Sequence, residues 1–195
     1  MASYDDRTAL LVVDVQNDFA DPAGSLSVSG ADAIVPDVNA EIAIALEVGA
    51  AVLYTQDWHP AHTPHFTQDG GIWPVHCVQG TWGAEFHPRL DVEGGEIVRK
   101  GVDGRDGYSG FSVRDPLSGD IDDTVLHEML QGAGVRRLVI CGLATDYCVV
   151  ETVLDARVRG YPVDVIASAI RAVDRNPDDG ERAISRMRDA GAELV

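Results

Sequence analysis

The sequence is poor in cysteine, in basic residues and in long apolar runs, and each shortage excludes a class of protein. Its three cysteines are too few for a disulfide scaffold, and an odd number cannot pair completely. The N-terminus lacks the basic and apolar segments of a secretory leader, so we expect a reduced, cytoplasmic protein. The longest apolar stretches are the length of a strand and are interrupted by charges, which predicts a soluble chain without a membrane span.

Basic residues are scarce relative to acidic ones. The 15 lysines and arginines stand against 32 aspartates and glutamates, and the formal net charge is −17. This charge opposes binding to nucleic-acid phosphates and to anionic membrane surfaces, so we expect neither partner. With 45% hydrophobic residues, the 195-residue chain is long enough for a single domain, residues 1–195, to bury its own core.

Short β-branched runs alternate with helical patterns along the chain. The first run, 10–13, is apolar at consecutive positions, as is typical of a strand buried on both faces. Further strands are predicted at 51–55, 96–100, 137–142, 162–166 and 192–195. The alternation predicts an α/β fold in which a doubly wound, mainly parallel, six-stranded sheet has helices on both faces.

The helices are predicted from apolar residues that recur on one face, and they span 32–48, 125–130, about 145–158 and 177–190. Gly49 stands where a C-terminal cap belongs. Val125 is predicted on the buried face of its helix. For the last helix, Asn176 is the predicted N-cap and Pro177 the first-turn proline.

A long segment at about 56–95 has no sustained periodicity and is rich in Gly, Pro, His and Trp. A connection of this length in a compact domain is usually either functional or disordered. Its tryptophans, Trp58, Trp73 and Trp82, argue against disorder, because disordered segments are poor in aromatic residues. We interpret it as an ordered loop that builds a site.

Three reactive side chains are predicted at the carboxyl edge of the sheet, where α/β sheets bind their ligands. Asp14 ends the first strand, Lys100 ends the third, and Cys148 lies in the first turn of the helix after the fourth. Each residue alone fits an ordinary role, as a turn cap, a solvated strand end or a small buried side chain. Together they indicate a nucleophilic thiol, because a helix N-terminus and a lysine lower the pKa of a thiol and a carboxylate can take its proton.

The long loop also concentrates potential metal ligands near Asp57, since it holds four of the six histidines: His59, His62, His65 and His76. Asp57 and His59 are two residues apart, so in an extended segment both side chains leave the same face. His76 can close such a site. One carboxylate with two or three imidazoles suits Zn, Mn or Fe rather than Ca or Mg.

The remaining cysteines and histidines have simpler interpretations. Cys141 lies inside an apolar run and is predicted to pack in the core. For Cys77, in the long loop, a packed thiol is favoured, and a metal or structural role stays open. His87 and His127 are interpreted as ordinary titrating side chains, and His62 stays unassigned.

Several segments carry recognisable motifs: VDVQNDF (13–19), TQDWHP (55–60) with HF at 65–66, WPVHCVQGTWGAEFHP (73–88), RKG (99–101), GYSGF (107–111) and GLATDYCV (142–149). Together, and over essentially the whole chain, they resemble the isochorismatase-like cysteine hydrolases. The DWH and PVHC pair resembles the metal-containing nicotinamidase (pyrazinamidase) branch of that superfamily.

The resemblance implies hydrolysis of the linear amide nicotinamide to nicotinate and ammonia, in NAD salvage, through a cysteine thioester, with pyrazinamide as a further substrate. It implies the isochorismatase-like hydrolase fold and a catalytic set of Asp14, Lys100 and Cys148. It also implies a cis peptide between Leu143 and Ala144, with the backbone N–H groups of Ala144 and Cys148 forming the oxyanion hole.

The family pattern further implies a divalent transition metal ion in the long loop, Zn ahead of Mn or Fe. The ligand positions match Asp57, His59, His76 and, as in some members, His65. Aromatic residues wall a pocket for the pyridine ring, at positions that match Phe19, Trp73 and Tyr108. One departure from the pattern is the loop between Lys100 and Tyr108, which is one residue longer than in some bacterial relatives.

Two other functions stay open from the sequence. A sister hydrolase on the same scaffold would act on isochorismate, a ureido acid or a carbamoyl compound, although those branches generally lack the Asp57, His59 and His76 set. A non-catalytic flavodoxin-like module also places acidic residues at strand ends. The sequence leaves open the oligomeric state, a homo-oligomer included.

Overall fold

The computed structural model describes residues 2–92 and 94–195. The regular elements within these ranges are, in chain order, β1 (Thr8–Val13), α1 (Asn17–Ala20), α2 (Val35–Glu47), β2 (Ala51–Asp57), β3 (Glu96–Lys100), β4 (Ser112–Arg114), β5 (Ile121–Asp123), α3 (Leu126–Gly132), β6 (Arg137–Leu143), α4 (Val150–Val158), β7 (Val163–Arg171), α5 (Asp179–Asp189) and β8 (Glu193–Leu194). Short turns accompany them: 3-10 turns at Ala31–Ile34, Thr67–Asp69 and Trp82–Ala84, and a π-helical turn at Thr145–Val149. None of the helices in the described ranges is long and apolar enough to cross a bilayer.

Six strands form one parallel sheet in the order β3-β2-β1-β6-β7-β8, which confirms the predicted α/β architecture. All six residues of β1 are buried, because helices cover both faces of the sheet. Leu11 and Val13 pack on the side of α3, α4 and α5, whereas Leu10 and Val12 pack on the side of α2. Each such buried aliphatic side chain stabilises the fold by about 1.5–3 kcal/mol.

The carboxyl ends of β1 and β6 approach each other closely at Gly142. Val13 is its partner in the register of the two strands, and a Cβ atom at Gly142 would lie 2.1 Å from the Val13 carbonyl oxygen. The φ of Gly142, 113°, also belongs to the region that favours glycine. This glycine therefore lets Asp14, at the end of β1, lie next to the turn that follows β6.

The structure extends two predicted strands and adds a hairpin that was not predicted. β2 continues past the predicted end at 55 to Asp57, which is in register with Lys100 of β3. β7 continues past 166 to Arg171, because its distal half pairs with the end of β6. The unpredicted strands β4 and β5 form an antiparallel hairpin in the segment rich in Gly, Asp and Ser. All three residues of β5 are exposed, so no apolar alternation marks this hairpin in the sequence.

Helix boundaries also differ from the predictions. The predicted helix at 32–48 opens with a 3-10 turn before α2. The helix α5 begins at Asp179, after Asp178 in a left-handed conformation with φ 67°, so Asn176 is not its N-cap and Pro177 is not in its first turn. Val125 precedes α3 and is 55% exposed rather than buried. These errors arise because apolar spacing continues beyond the residues whose backbone is α-helical.

Over its described residues, 58–92 and 94–95, the connection from β2 to β3 is ordered, as predicted, by pairing between its own segments. His59 pairs with Val78, and Phe66 pairs with Trp73, as single bridging pairs. Phe66 and Trp73 are both buried, which gives the loop a small apolar centre of its own. A third bridging pair joins the loop to the segment after β1. The loop is thereby fixed over the carboxyl edge of the sheet.

Candidate active site and metal centre

The three reactive side chains predicted at the carboxyl edge converge in the structure. Lys100 Nζ lies 2.9 Å from Asp14 Oδ2 and 3.6 Å from Cys148 Sγ. The exposed fraction is 0% for Asp14, 1% for Lys100 and 6% for Cys148. The arrangement is therefore a buried acid and ammonium behind a sulfur that reaches a cavity.

The Asp14 carboxylate is oriented by Thr55, a residue that the sequence analysis missed. Thr55 Oγ1 donates a hydrogen bond to Asp14 Oδ1 (2.7 Å), and the Asp14 N–H donates to the main-chain carbonyl of Thr55 (3.3 Å). Asp14 has φ 49°, so the chain turns sharply as it leaves β1. Thr55 lies within the TQDWHP motif, and that position was the only sequence signal for its role.

Burial and neighbouring charges shift the pKa values of Asp14 and Lys100 in opposite directions. Burial raises the pKa of Asp14 above its ordinary value, although the ammonium of Lys100 opposes this shift. Burial also disfavours the Lys100 ammonium, but the Asp14 and Asp57 carboxylates outweigh it and raise the pKa of Lys100 well above its ordinary value. Lys100 is consequently a permanent positive charge at neutral pH.

The expectation of a lowered thiol pKa is wrong for Cys148. Burial raises the pKa of the Cys148 thiol well above its ordinary value, and the Lys100 ammonium offsets only part of that shift. Cys148 also lies in the π-helical turn Thr145–Val149 rather than in the first turn of an α-helix. The resting thiol is therefore protonated, and a base is needed to ionise it as it attacks.

The predicted metal-binding histidines also come together. His59, His65 and His76 each bring one ring nitrogen within 4.8 Å of the others, and all three residues are buried. His76 Nδ1 donates to the carbonyl of Pro74 (2.7 Å), which leaves Nε2 as its lone-pair nitrogen. Both ring nitrogens of His59 are buried without a hydrogen-bond partner among the described residues. Since such groups are costly to leave unpaired, these imidazoles fit a bound metal ion.

The protonation of His76 suits the same role. Burial lowers the pKa of His76 to about 4, against the opposing pull of the Asp57 carboxylate. The imidazole is thus neutral at pH 7, and a metal ion binds only the neutral form.

Asp57 lies between the two sets of residues. Its Oδ1 contacts Lys100 Nζ and lies 3.8 Å from His59 Nε2. Burial disfavours its charge, but Lys100 and His59 lower its pKa below the ordinary value. Gln16 holds the main chain of Asp57 from both sides, because its Nε2 donates to the Asp57 carbonyl (2.7 Å) and its Oε1 accepts from the Asp57 N–H (2.8 Å). The structure makes one continuous polar cluster of what the sequence suggested as two sites.

A cavity above this cluster has aromatic walls. Its lining includes the three predicted aromatic residues, Phe19, Trp73 and Tyr108, together with Ala144, Cys148 and the histidines of the metal cluster. Trp73 Nε1 donates to the Tyr108 hydroxyl (3.0 Å), which fixes two of the walls relative to each other. The peptide between Leu143 and Ala144 is cis, as the resemblance implied.

Five further lining residues were missed: Leu26, Val28, Gly107, Tyr147 and Val173. The ring of Tyr147 packs edge-on against Trp73, with centroids 5.1 Å apart. Its place directly before Cys148 was a signal that could have identified it. Val173 follows β7 and is brought to the cavity by Asp146, whose carboxylate accepts the Val173 N–H (2.9 Å). No local pattern marks that contact.

The histidines outside the metal cluster have other partners. His62 lies 3.2 Å from the Asp69 carboxylate at the surface. His87 Nδ1 accepts the Arg89 N–H (3.3 Å), and burial lowers the pKa of His87. His127 Nδ1 lies 3.1 Å from the Tyr161 hydroxyl.

The two other cysteines, Cys77 and Cys141, are free and fully buried. Burial raises the pKa of both thiols. This agrees with the packing roles favoured for them.

The chain is similar to known proteins over nearly its whole length. Residues 8–195 match the family model described as the Isochorismatase domain. The chain is 38% identical over 203 residues to a nicotinamidase of Escherichia coli (strain K12), covering 95% of this chain and 93% of that one.

Two solved structures share the fold over nearly their full lengths. The pyrazinamidase of Pyrococcus horikoshii in complex with zinc is 41% identical with a TM-score of 0.86, covering 97% of this chain and 98% of that one. PnC1 from L. infantum in complex with nicotinate is 34% identical with a TM-score of 0.89, covering 100% of this chain and 95% of that one. These similarities extend through every element that carries the candidate site.

Proposed function

The chain belongs to the isochorismatase domain family, and from that premise we propose that it hydrolyses nicotinamide to nicotinate and ammonia. One observation carries the proposal: the sulfur of Cys148 lies beside a buried ammonium and carboxylate, at an aromatic-walled cavity that also holds three clustered imidazoles. Pyrazinamide, a similar heteroaromatic carboxamide, is a second substrate. In this role the enzyme serves NAD salvage.

The first half of the reaction forms a thioester. Asp14 accepts the thiol proton as the Cys148 sulfur bonds to the carboxamide carbon, and the carbonyl oxygen becomes an oxyanion. The backbone N–H groups of Ala144 and Cys148 stabilise that oxyanion. Asp14 then gives its proton to the leaving nitrogen, the carbon–nitrogen bond breaks, and ammonia departs.

The second half releases the acid. Asp14 takes a proton from water as the water oxygen attacks the thioester carbon, and it gives that proton to the sulfur as the carbon–sulfur bond breaks. The products are the Cys148 thiol, the Asp14 carboxylate and nicotinic acid, which ionises to nicotinate. Throughout, the Lys100 ammonium keeps the Asp14 carboxylate oriented and compensates the negative charge that develops on the sulfur. The raised pKa of Asp14 favours this exchange of protons, because it makes the carboxylate a stronger base than an ordinary aspartate.

We assign the metal ligands to Asp57, His59, His65 and His76, and zinc to the ion, with Mn and Fe as the alternatives. When bound, the ion supplies a Lewis-acidic position for the ring nitrogen of the substrate, directly or through water. The supporting observations are the imidazole cluster and the unpartnered nitrogens of His59. The donor set, imidazoles with one carboxylate, suits a borderline ion rather than a hard one.

The side chains of Phe19, Trp73 and Tyr108 hold the flat ring with its carboxamide toward Cys148. A domain of residues 1–195 and a reduced, cytoplasmic location complete the proposal, and the buried free cysteines support the location. A sister hydrolase with another small substrate and a non-catalytic flavodoxin-like module are not favoured, because the similarity to nicotinamidases covers almost the whole chain.

Replacing the nucleophile tests the proposal. We expect Cys148→Ala to reduce ammonia release from nicotinamide by about ten-thousand-fold or more, because the residues of such a catalytic set act as a unit. Cys141→Ala is the matched control, since it removes another buried thiol from the neighbouring strand β6, and it should keep turnover. Circular dichroism checks that both variants are folded.

Wild-type turnover by folded Cys148→Ala would refute the mechanism. In the same assay, chelator-sensitive release that is specific for nicotinamide distinguishes this enzyme from a metal-independent sister hydrolase. If the wild-type protein released no ammonia from nicotinamide, the result would favour the non-catalytic flavodoxin-like module.

A further inference from the structure

The carboxylate of Asp106 reaches the metal cluster from outside it. Asp106 lies in the loop between β3 and β4, and its Oδ2 is 3.1 Å from His65 Nδ1. We propose that Asp106 is a positioning residue that makes His65 a metal ligand through Nε2. This inference rests on the proposed metal centre and extends it to a residue that none of the motifs singled out.

The chemistry of the contact decides which nitrogen of His65 is free. An ionised carboxylate only accepts hydrogen bonds, so His65 Nδ1 must carry the proton and Nε2 the lone pair. The same logic applies to His76, whose Nδ1 donates to a neutral carbonyl. A carboxylate is the stronger acceptor of the two, so it fixes the orientation of the imidazole more firmly.

The main chain of Asp106 is fixed by two hydrogen bonds to Arg114. Its N–H donates to the Arg114 carbonyl (2.8 Å), and its carbonyl accepts the Arg114 N–H (2.5 Å). Arg114 belongs to β4, so the unpredicted hairpin anchors this part of the loop. Asp106 is thus fixed by a strand-like pair rather than left at a flexible loop tip.

Thr63 ties the Asp106 loop to the segment that carries His65. Thr63 Oγ1 donates to the Gly104 carbonyl (3.0 Å), and the same oxygen accepts the His65 N–H (3.3 Å). The Thr63 hydroxyl therefore connects the main chain of the Asp106 loop to the main chain at His65, in addition to the contact between the Asp106 and His65 side chains. Such double support is what a ligand needs to hold one orientation before the ion binds.

The chain contains a second histidine–aspartate pair that serves as a comparison. His62 Nδ1 lies 3.2 Å from Asp69 Oδ1, almost the same distance, but the side chain of His62 is 80% exposed against 8% for His65. His62 is also absent from the imidazole cluster. If the pair of Asp106 and His65 were only an ion pair, its loss should resemble the loss of the pair at the surface.

The experiment measures Zn²⁺ binding to metal-stripped protein by competition with a chromophoric chelator. We expect Asp106→Ala to raise the Kd by about 10–100-fold and Asp106→Asn to raise it less, because removing such a partner typically costs that much affinity. His62→Ala removes the surface pair but keeps the hydrogen bond from the Thr63 N–H to Asp69, and it should leave the Kd within about twofold. In a His65→Ala background, Asp106→Ala should add no further weakening.

A second readout separates ligand orientation from general damage to the fold. The visible absorption of bound Co²⁺ reports its ligand geometry, and the spectrum of Asp106→Ala should move toward that of His65→Ala. The melting temperatures of the metal-free variants should match that of the metal-free wild-type protein.

Three results would overturn the inference. Equal Zn²⁺ affinity in Asp106→Ala and wild-type protein would remove Asp106 from the metal centre and leave the proposed hydrolysis untouched. Equal weakening with and without His65 would show that Asp106 does not act through that residue. Failure of the wild-type protein itself to bind Zn²⁺ would refute the metal centre and this inference together, and the ammonia assay on Cys148→Ala would still test the thiol mechanism separately.

Discussion

At the scale of single residues, Lys100 is the link between the thiol and the metal cluster. It is the only lysine in the sequence, and its ammonium contacts Asp14, Asp57 and Cys148. A buried charge is costly unless it is paired, and here two carboxylates pair with it. The electrostatic stabilisation that Lys100 provides is therefore greatest while both acids are ionised.

Because the sequence contains no other lysine, the ionisation of Lys100 can be followed without overlap from other lysine signals. In protein labelled with ¹³C at lysine Cε, the folded state should give one resonance that does not titrate between about pH 7 and pH 10. The reason is that the Asp14 and Asp57 carboxylates, against the effect of burial, raise its pKa well above the ordinary value of 10.5. Because the folded pKa exceeds the unfolded one, the stabilisation is complete below about pH 10 and is lost as pH rises through the folded pKa.

The same sample in concentrated urea is the control, and there the resonance should titrate with the ordinary lysine pKa. A midpoint for the folded protein at or below that of the urea-unfolded chain would contradict the structure. Chemical-shift titration by NMR measures both.

Single residues were predictable where a motif and a strand end coincide. Asp14, Lys100 and Cys148 each stand at an element boundary, and the structure brings them together as predicted. Thr55 and Asp106 were missed because their roles come from partners 41 residues away in sequence, and local spacing carries no information about such contacts. The thiol pKa was mispredicted for a related reason, since the depth of burial depends on the whole fold.

At the scale of elements, the presence of a strand was predicted better than the residues at which it begins and ends. Consecutive apolar residues identify β1 and β6 because both faces of these strands are covered. The ends of β2 and β7 and the hairpin of β4 and β5 depend on backbone hydrogen bonds to other strands. The π-helical turn before α4 is closed locally, by the Val149 N–H bonded to the Ala144 carbonyl. Their side chains follow no apolar period, so the sequence did not reveal them.

The close approach of β1 and β6 gives a prediction at this scale. Gly142→Ala should lower the free energy of unfolding by about 2–4 kcal/mol, because it combines an unfavourable φ with overlap against a carbonyl oxygen. Gly134→Ala is the control, since its φ is 71° but no atom lies within 4 Å of the added carbon. It should cost only about 1–2 kcal/mol.

Urea denaturation measures both values. Equal losses in Gly142→Ala and Gly134→Ala would show that strand packing at Gly142 is not tight. If only Gly142→Ala failed to give soluble protein, this result would support tight packing between β1 and β6 at Gly142.

At the scale of the whole molecule, the order of the strands explains where the site lies. The chain builds β1, β2 and β3 outward in one direction and then crosses to β6, β7 and β8 on the other side of β1. The reversal falls between β1 and β6, and α/β sheets bind ligands in the crevice that such a reversal opens. Asp14 follows β1, and Ala144 and Cys148 follow β6, so the cavity stands at that point. The alternation of elements predicted a parallel sheet, but it could not give this order.

The net charge of −17 is also a property of the whole molecule, and it predicts a salt dependence of stability. Mutual repulsion of so many carboxylates opposes the compact state, and salt screens it. The melting temperature should therefore rise by about 3–6 °C between about 0.02 M and 0.5 M NaCl, which corresponds to roughly 1–2 kcal/mol for a chain of this size.

Two double variants separate net charge from local effects on the helices. Glu47→Lys with Asp189→Lys reverses exposed acids in the last turns of α2 and α5, whereas Asp37→Lys with Glu181→Lys reverses exposed acids in the first turns of the same helices. Each reversal adds two positive units, so both variants carry −13 instead of −17. The helix dipole favours the first variant and disfavours the second, so their melting temperatures should differ. If self-repulsion acts through net charge, both should nevertheless show the same reduced slope against salt. Different slopes, or a wild-type melting temperature that stays constant or falls with NaCl, would place the effect in local ion pairs.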